Sequence, residues 1–193
     1  MKSLAILYGG SLPEYRVLAQ PKYRSWLSAI IPLLELPKTD LSRFQGLLVP
    51  EGLHHQRLKA ASEQIHQFLS AGGTVCLFGD QPIPWLPGLD WKFREANRPQ
   101  PGELIIEHPE SSFHQHLGLE DVWHHHGVFH PPAGAKTLLA TSDGATVLYI
   151  DRVSTTGTLL VTSLDLLVHI GRTANPVSER FLERFLPWVV ERL

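Results

Sequence analysis

The residues best equipped for chemistry fall in a few short stretches. The densest is Val122-Trp-His-His-His-Gly-Val-Phe-His130. Drawn out as a strand, this run puts His124 and His126 on one side and Trp123 and His125 on the other. Paired imidazoles at i and i+2 can bind a transition metal once a third ligand joins them, with His130, Asp165, His169, Asp80 and Glu51 as candidates. The same histidines can equally form a neutral polar wall hydrogen-bonded to backbone. No resident cofactor is expected; a divalent transition metal held by His124, His126 and His130 is the alternative. Asp165 and His169 stand four apart, so a helical turn between them would put both on one face. Asp165 could then orient the imidazole, and His169 could act as a base or bind a ligand hydroxyl. The competing reading is an Asp that merely caps a turn. Glu51-Gly52 and Asp80-Gln81 each follow a short apolar run, and the Asp80 and Gln81 side chains suit sugar hydroxyls. Gly9-Gly10 permits a tight turn or close backbone approach to a ligand at Gly10. Trp85 and Trp91 could stack on a sugar face or simply pin a proline-rich loop.

These residues need elements to position them, and the stretch Asp40 to Asp80 supplies the clearest ones. Leu47 to Val49 and Thr74 to Phe78 are apolar runs bounded by turn residues, as in strands covered on both faces. Between them Leu58, Ala61, Ile65, Phe68 and Leu69 form one helical stripe, and Gly72 sits where a helix C′ glycine belongs. Strand, helix and strand in this order predict a right-handed parallel unit, whose ligands bind at the carboxyl ends of the strands. Those ends carry Glu51-Gly52 and Asp80-Gln81. Upstream, Leu4 to Leu7 predicts a strand, Pro21 a helix with Trp26, Leu27 and Ile30 inward, and Leu33 to Leu36 a short strand. Pro82 to Pro101 predicts a long ordered loop. Glu103 to Glu107 predicts another strand. Thr137 to Ala140 and Thr146 to Ile150 predict a hairpin turning at Asp143-Gly144. Thr158 to Leu164 is a further strand. Asn175-Pro176 opens the last helix, with Pro187 kinking or shortening it.

The totals bound the partners. The chain has 193 residues, net charge −2, eleven histidines and one cysteine. A near-neutral balance gives no footprint for nucleic acid. No run approaches the ~20 apolar residues of a membrane span. One cysteine excludes an internal disulfide framework and fits a reducing, cytoplasmic compartment. The apolar run at the start is too short for a signal peptide and reads as a strand. A single α/β domain over residues 1–193 is the economical organisation.

Three stretches, in this order, resemble the class I glutamine amidotransferase-like superfamily. Phe44-Gln-Gly-Leu-Leu-Val-Pro-Glu-Gly52 is similar to its third strand, which lends a backbone N–H to the oxyanion hole. Gly73-Thr-Val-Cys-Leu-Phe-Gly79 is similar to the strand before the nucleophile elbow. Gly157-Thr-Leu-Leu-Val-Thr-Ser-Leu-Asp165, followed by His169, resembles the late strand of the ThuA-like (trehalose-utilisation) branch. The resemblance implies a flavodoxin-like three-layer fold, a mostly parallel central sheet and a late antiparallel hairpin insertion. It departs from the family at the triad. Gly79 or Asp80 stands at the elbow, Cys76 lies inside the strand as a buried hydrophobe would, and Leu164-Asp165-Leu166 replaces the family's His-Pro-Glu. A thiol without an adjacent base does not run acyl transfer, so glutaminase activity is not expected.

The expectation is therefore a degenerate amidotransferase-like domain binding a small polar ligand, with a carbohydrate as the leading class. Its site would comprise Gly10, Glu51, Gly52, Asp80, Gln81, His124 and His126. A metal- or Asp165/His169-assisted hydrolase in the same pocket is the alternative, and a structural or oligomerising module, such as a homodimer, is a third.

Overall fold

The structure, a computed structural model, describes residues 3–94, 104–106 and 125–193. Ten strands form one sheet. Its parallel half runs β2 (Ala29–Pro32), β1 (Leu4–Tyr8), β3 (Gly46–Val49), β4 (Thr74–Phe78) and β10 (Thr158–Thr162). The registers align Ile6 with Leu48, Leu48 with Cys76 and Cys76 with Leu160. Successive side chains therefore point to opposite faces in step across the strands. Leu4, Ile6, Leu48, Cys76, Phe78 and Leu160 bury into one core, while Ala5, Leu7, Leu47, Val49, Val75, Leu77, Leu159 and Val161 bury into the other. This explains why these strands read as unbroken apolar runs: neither face meets water.

Each core is closed by helices. On the first face lie α1 (Leu12–Leu18), α2 (Pro21–Arg24), α5 (Leu167–Thr173) and α6 (Pro176–Val190). On the second lie α3 (His55–Ala60) and α4 (Ser62–Ser70). The expected apolar stripe is present, with Leu58, Ala61, Ile65, Phe68 and Leu69 all buried, but the helix breaks at Ala61 into two pieces. At the end of α4, Gly72 adopts φ 92°, its N–H bonds to Leu69 O, and the Gly73 N–H bonds to Phe68 O. A left-handed residue there lets the chain turn straight into β4. Asn175 caps α6 by accepting from the Val177 and Ser178 N–H groups, with Pro176 first in the helix, as expected. The helix continues through Pro187 to Val190 rather than ending early.

The antiparallel half extends the sheet beyond β10. It contains β9 (Thr146–Asp151), β8 (Lys136–Thr141), β7 (Gly127–Phe129), β5 (Trp91–Phe93) and β6 (Leu104–Ile106). The β8–β9 hairpin is the expected one, with Gly144 at φ 83° in its turn. The α/β class, the parallel centre and the late antiparallel insertion thus stand, and the insertion is larger than one hairpin. Three local expectations are corrected. The second strand is Ala29–Pro32, not Leu33–Leu36: pairing starts at the Ser28 N–H bonded to Leu4 O and ends at the Leu33 N–H bonded to Tyr8 O, where a turn begins. The helix from Pro21 is a single turn, so Ile30 belongs to the strand and Trp26 is part-exposed. The stretch read as a loop after Pro82 also contains a strand, β5, which pairs with β7.

Candidate functional site

The carboxyl ends of β3, β4 and β10 are adjacent because those strands are neighbours in one parallel sheet. They bring Glu51, Asp80 and Asp165 together. The pivot is Gly79, with φ 74°. A Cβ on Gly79 would stand 2.4 Å from Glu51 Cβ and 2.9 Å from Asp165 Oδ1. Only glycine lets β4 turn beneath those two side chains.

Glu51 is 5% exposed, and its Oε1 accepts from the Leu166 N–H at 2.8 Å and the Val168 N–H at 2.7 Å. Leu166 is the N-cap of α5 and has no capping side chain of its own. A carboxylate 115 residues away in sequence supplies the cap instead. Its second oxygen, Oε2, is buried without a hydrogen-bond partner among the described residues. Burial pushes the Glu51 carboxyl up to about 7, with Asp165 adding to the rise against the lowering by the Val168 N–H.

His126 enters from the antiparallel half. His125 forms an isolated antiparallel bridge with Leu164, which ties the histidine segment to the chain just before Asp165. The next side chain along therefore faces the strand ends. His126 Nδ1 lies 3.4 Å from Asp165 Oδ2 and 3.5 Å from Asp80 Oδ2. The Arg94 N–H fixes the same segment by bonding to His126 O. His169, on the first turns of α5, places Nε2 3.9 Å from Asp165 Oδ2, so the four-residue spacing does bring the pair together. Burial, then Asp80, push the Asp165 carboxyl up to about 7. Burial, then His126 and Arg172, hold the His169 imidazole below its ordinary value. The result is a cluster of Asp80, His126, Asp165 and His169 above the Gly79 elbow, in which Asp165 is the group held near neutrality.

Other expected members are placed differently. His124 lies outside the described residues. His130 sits at the far end of β7 from His126, roughly 13 Å away along an extended strand, and contacts Asp90 Oδ2 at 3.2 Å. His126 and His130 cannot share one ion across that distance, and among the described residues no group of three ligand-type side chains is arranged to hold one. Gln81 is buried: its amide donates to Phe78 O and accepts from the Trp85 indole. Trp85 is likewise buried, so this pair pins the loop after β4. Trp91 covers Gly127, whose Cβ position lies 2.4 Å from the indole. Gly10 follows β1 with open space around it, and Gly52 follows Glu51 beside Val168. Cys76 is buried inside β4, and burial pushes its thiol well above the ordinary range.

One contributor was missed in the sequence. Glu14 is buried at the end of β1, where its Oε2 accepts from the Gly9 and Ser11 N–H groups. The Ser11-x-x-Glu14 spacing is a capping-box signature and was readable. His55, in the His54-His55 pair that follows Glu51-Gly52 and can also be read as a solvated loop pair, places Nε2 3.0 Å from Asp80 O.

The sequence matches no protein-family model and no curated protein. Solved structures do share the fold. The cytoplasmic protein STM1381 of Salmonella typhimurium aligns over 100% of this chain and 99% of its own, at TM-score 0.69 and 10% identity. A Thermoplasma acidophilum protein described as a GMP synthase component aligns over 100% and 96%, at TM-score 0.61 and 16% identity. The exo-β-1,4-mannosidase Op5Man5 of an Opitutaceae bacterium aligns over 97% of this chain but only 35% of its own length, at TM-score 0.60 and 12% identity. No helix among the described residues is long and apolar enough to cross a membrane. At these identities the likeness is one of fold: an α/β architecture with a parallel sheet centre and an antiparallel extension, flanked by helices.

Proposed function

We propose that this chain is a cytoplasmic, ThuA-like member of the amidotransferase-like fold that binds a small polar ligand, a carbohydrate first among candidates, without glutaminase chemistry. The observation that carries this reading is the convergence of Asp80, His126, Asp165 and His169 over Gly79, where an acyl-transferring relative would present its nucleophile. In this chain the sole cysteine is buried in the strand with its thiol disfavoured from ionising. Carboxylates and imidazoles at a strand-end crevice suit hydroxyl recognition, each accepting or donating according to protonation.

A thermal-shift screen with free sugars and polyols tests the reading. The expected result is a saturable rise in Tm for the wild type, lost in Asp165→Asn and His169→Ala. No rise with any sugar, or a rise that survives both substitutions, overturns it. Glutamine with hydroxylamine should yield no glutamyl hydroxamate.

One observation favours a second reading. A carboxyl held near 7 within 3.9 Å of an imidazole is the pairing a general acid or base requires. An Asp165/His169-assisted hydrolase would turn over chromogenic glycosides or esters and lose that turnover in Asp165→Asn. Binding without turnover leaves the first reading alone.

A further inference from the structure

The strand-end site has too many acceptors for its own donors. Glu51 Oε2 and Asp80 Oδ1 are buried with no hydrogen-bond partner among the described residues. Glu51 as a whole is 5% exposed, and its Cβ and Asp165 Oδ1 both crowd the space above Gly79. Glu14 repeats the pattern one strand over, with Oε1 buried and without a partner among the described residues. Native proteins rarely leave buried carboxylate oxygens bare, because each has given up its water without a replacement donor.

The charge balance has the same sign. Asp80 and Asp165 face His126, Asp165 also faces His169, and the guanidinium of Arg172 acts on His169. His169 is held toward its neutral form, so it offers little positive charge. Mutual repulsion between the carboxylates contributes to the upward push on Asp165 and Glu51. A neutral polyol would supply donors but leave that repulsion in place. A cation would supply both. A metal ion is the poorer match, since no group of three ligands among the described residues is arranged for one.

Resting on the ligand-binding reading above, we propose that the site takes a small organic cation: a protonated primary amine on a hydroxyl-bearing skeleton, such as an amino sugar, its ammonium docked among Glu51, Asp80 and Asp165. An ammonium carries three donors and no acceptor, which complements Glu51 Oε2, Asp80 Oδ1 and the Asp165 carboxylate.

The test follows the His126 and His169 ring signals by NMR in the intact chain at neutral pH, each assigned from its own substitution. Matched probe pairs are titrated: ethanolamine against ethylene glycol, and glucosamine against glucose. The amines should move both rings in a saturable way and bind about tenfold tighter than their neutral partners. High salt and Asp80→Asn should each weaken them by a comparable factor. Equal responses to amine and neutral partner overturn the amine preference and leave the ligand-binding reading standing. Silence from both pairs, with the protein folded, overturns both. A magnesium or zinc salt that moves the rings at lower concentration and excludes ethanolamine assigns the site to a metal and overturns the amine.

Discussion

The hairpin turn and the strand-end site handle the same chemical group in opposite ways. Asp143, in the β8–β9 turn, accepts from Arg94 Nη1 at 2.9 Å and Nη2 at 2.7 Å and from the Thr141 hydroxyl. The bidentate Arg94 guanidinium, with the Thr141 hydroxyl, holds its carboxyl well below the usual range. Both oxygens are matched, and the residue fastens β5 to the hairpin. At the strand ends, Glu51 and Asp165 are pushed up to about 7 by burial. Among the described residues only one of the Glu51 oxygens is engaged, as the cap of α5. A carboxylate with a purely structural role is saturated by its neighbours. One that keeps an oxygen bare is carrying a cost that folding alone does not explain.

The largest effect expected in breaking this comparison is Gly79→Ala. It combines a left-handed φ with a Cβ 2.4 Å from Glu51, and should cost on the order of 3 kcal/mol in urea unfolding, or prevent accumulation. Gly144→Ala is the control from the other region. Its φ is 83°, but its Cβ meets open space, so about 1 kcal/mol is expected. Next comes Glu51→Ala, which removes the remote cap and leaves the Leu166 and Val168 N–H groups bare, for about 2 kcal/mol. Glu51→Gln keeps a carbonyl acceptor and should recover most of that loss at pH 8.

Acidity separates the regions by sign. Glu51 and Asp165 titrate higher folded than unfolded, so the native state holds more protons between about pH 4 and pH 7. Their contribution to stability is full below about pH 4 and fades as the pH rises toward 7. Asp143 titrates lower folded than unfolded, so its contribution is present above about pH 4 and fades in acid. Thermal melts across this range should show Asp165→Asn flattening the neutral limb and Asp143→Asn flattening the acid limb. A neutral limb unchanged in Asp165→Asn would remove the electrostatic distinction between the two regions. The smallest effect is Lys22→Ala, whose contacts with Glu179 and Glu183 are solvent-facing and should leave Tm nearly unchanged.

Much of the frame was legible in the chain itself. Apolar runs such as Leu47 to Val49 and Thr74 to Phe78, bounded by turn residues, read as strands buried on both faces, and the stripe from Leu58 to Leu69 reads as a covering helix. With Gly72 and Asn175-Pro176 as punctuation, local rules sufficed to place Glu51, Asp80 and Asp165 at the carboxyl ends of parallel strands. The i, i+4 spacing of Asp165 and His169 likewise carried their contact. Local rules failed where pairing partners decide: Ala29 to Pro32 became a strand because β1 offered it an edge, while Leu33 to Leu36, equally apolar, had already left the sheet.

Which histidine belongs to the site was a tertiary matter. Alternation along the segment separates the directions of His125 and His126. Only the bridge from His125 to Leu164 brings His126 over Asp80 and Asp165, and only the Asp90 contact takes His130 elsewhere. The same holds for Glu51, whose cap on α5 joins groups 115 residues apart. Side-chain type and periodicity act over a few residues and were written in the sequence; contacts across that distance depend on strand order and register, which the folded sheet alone supplies.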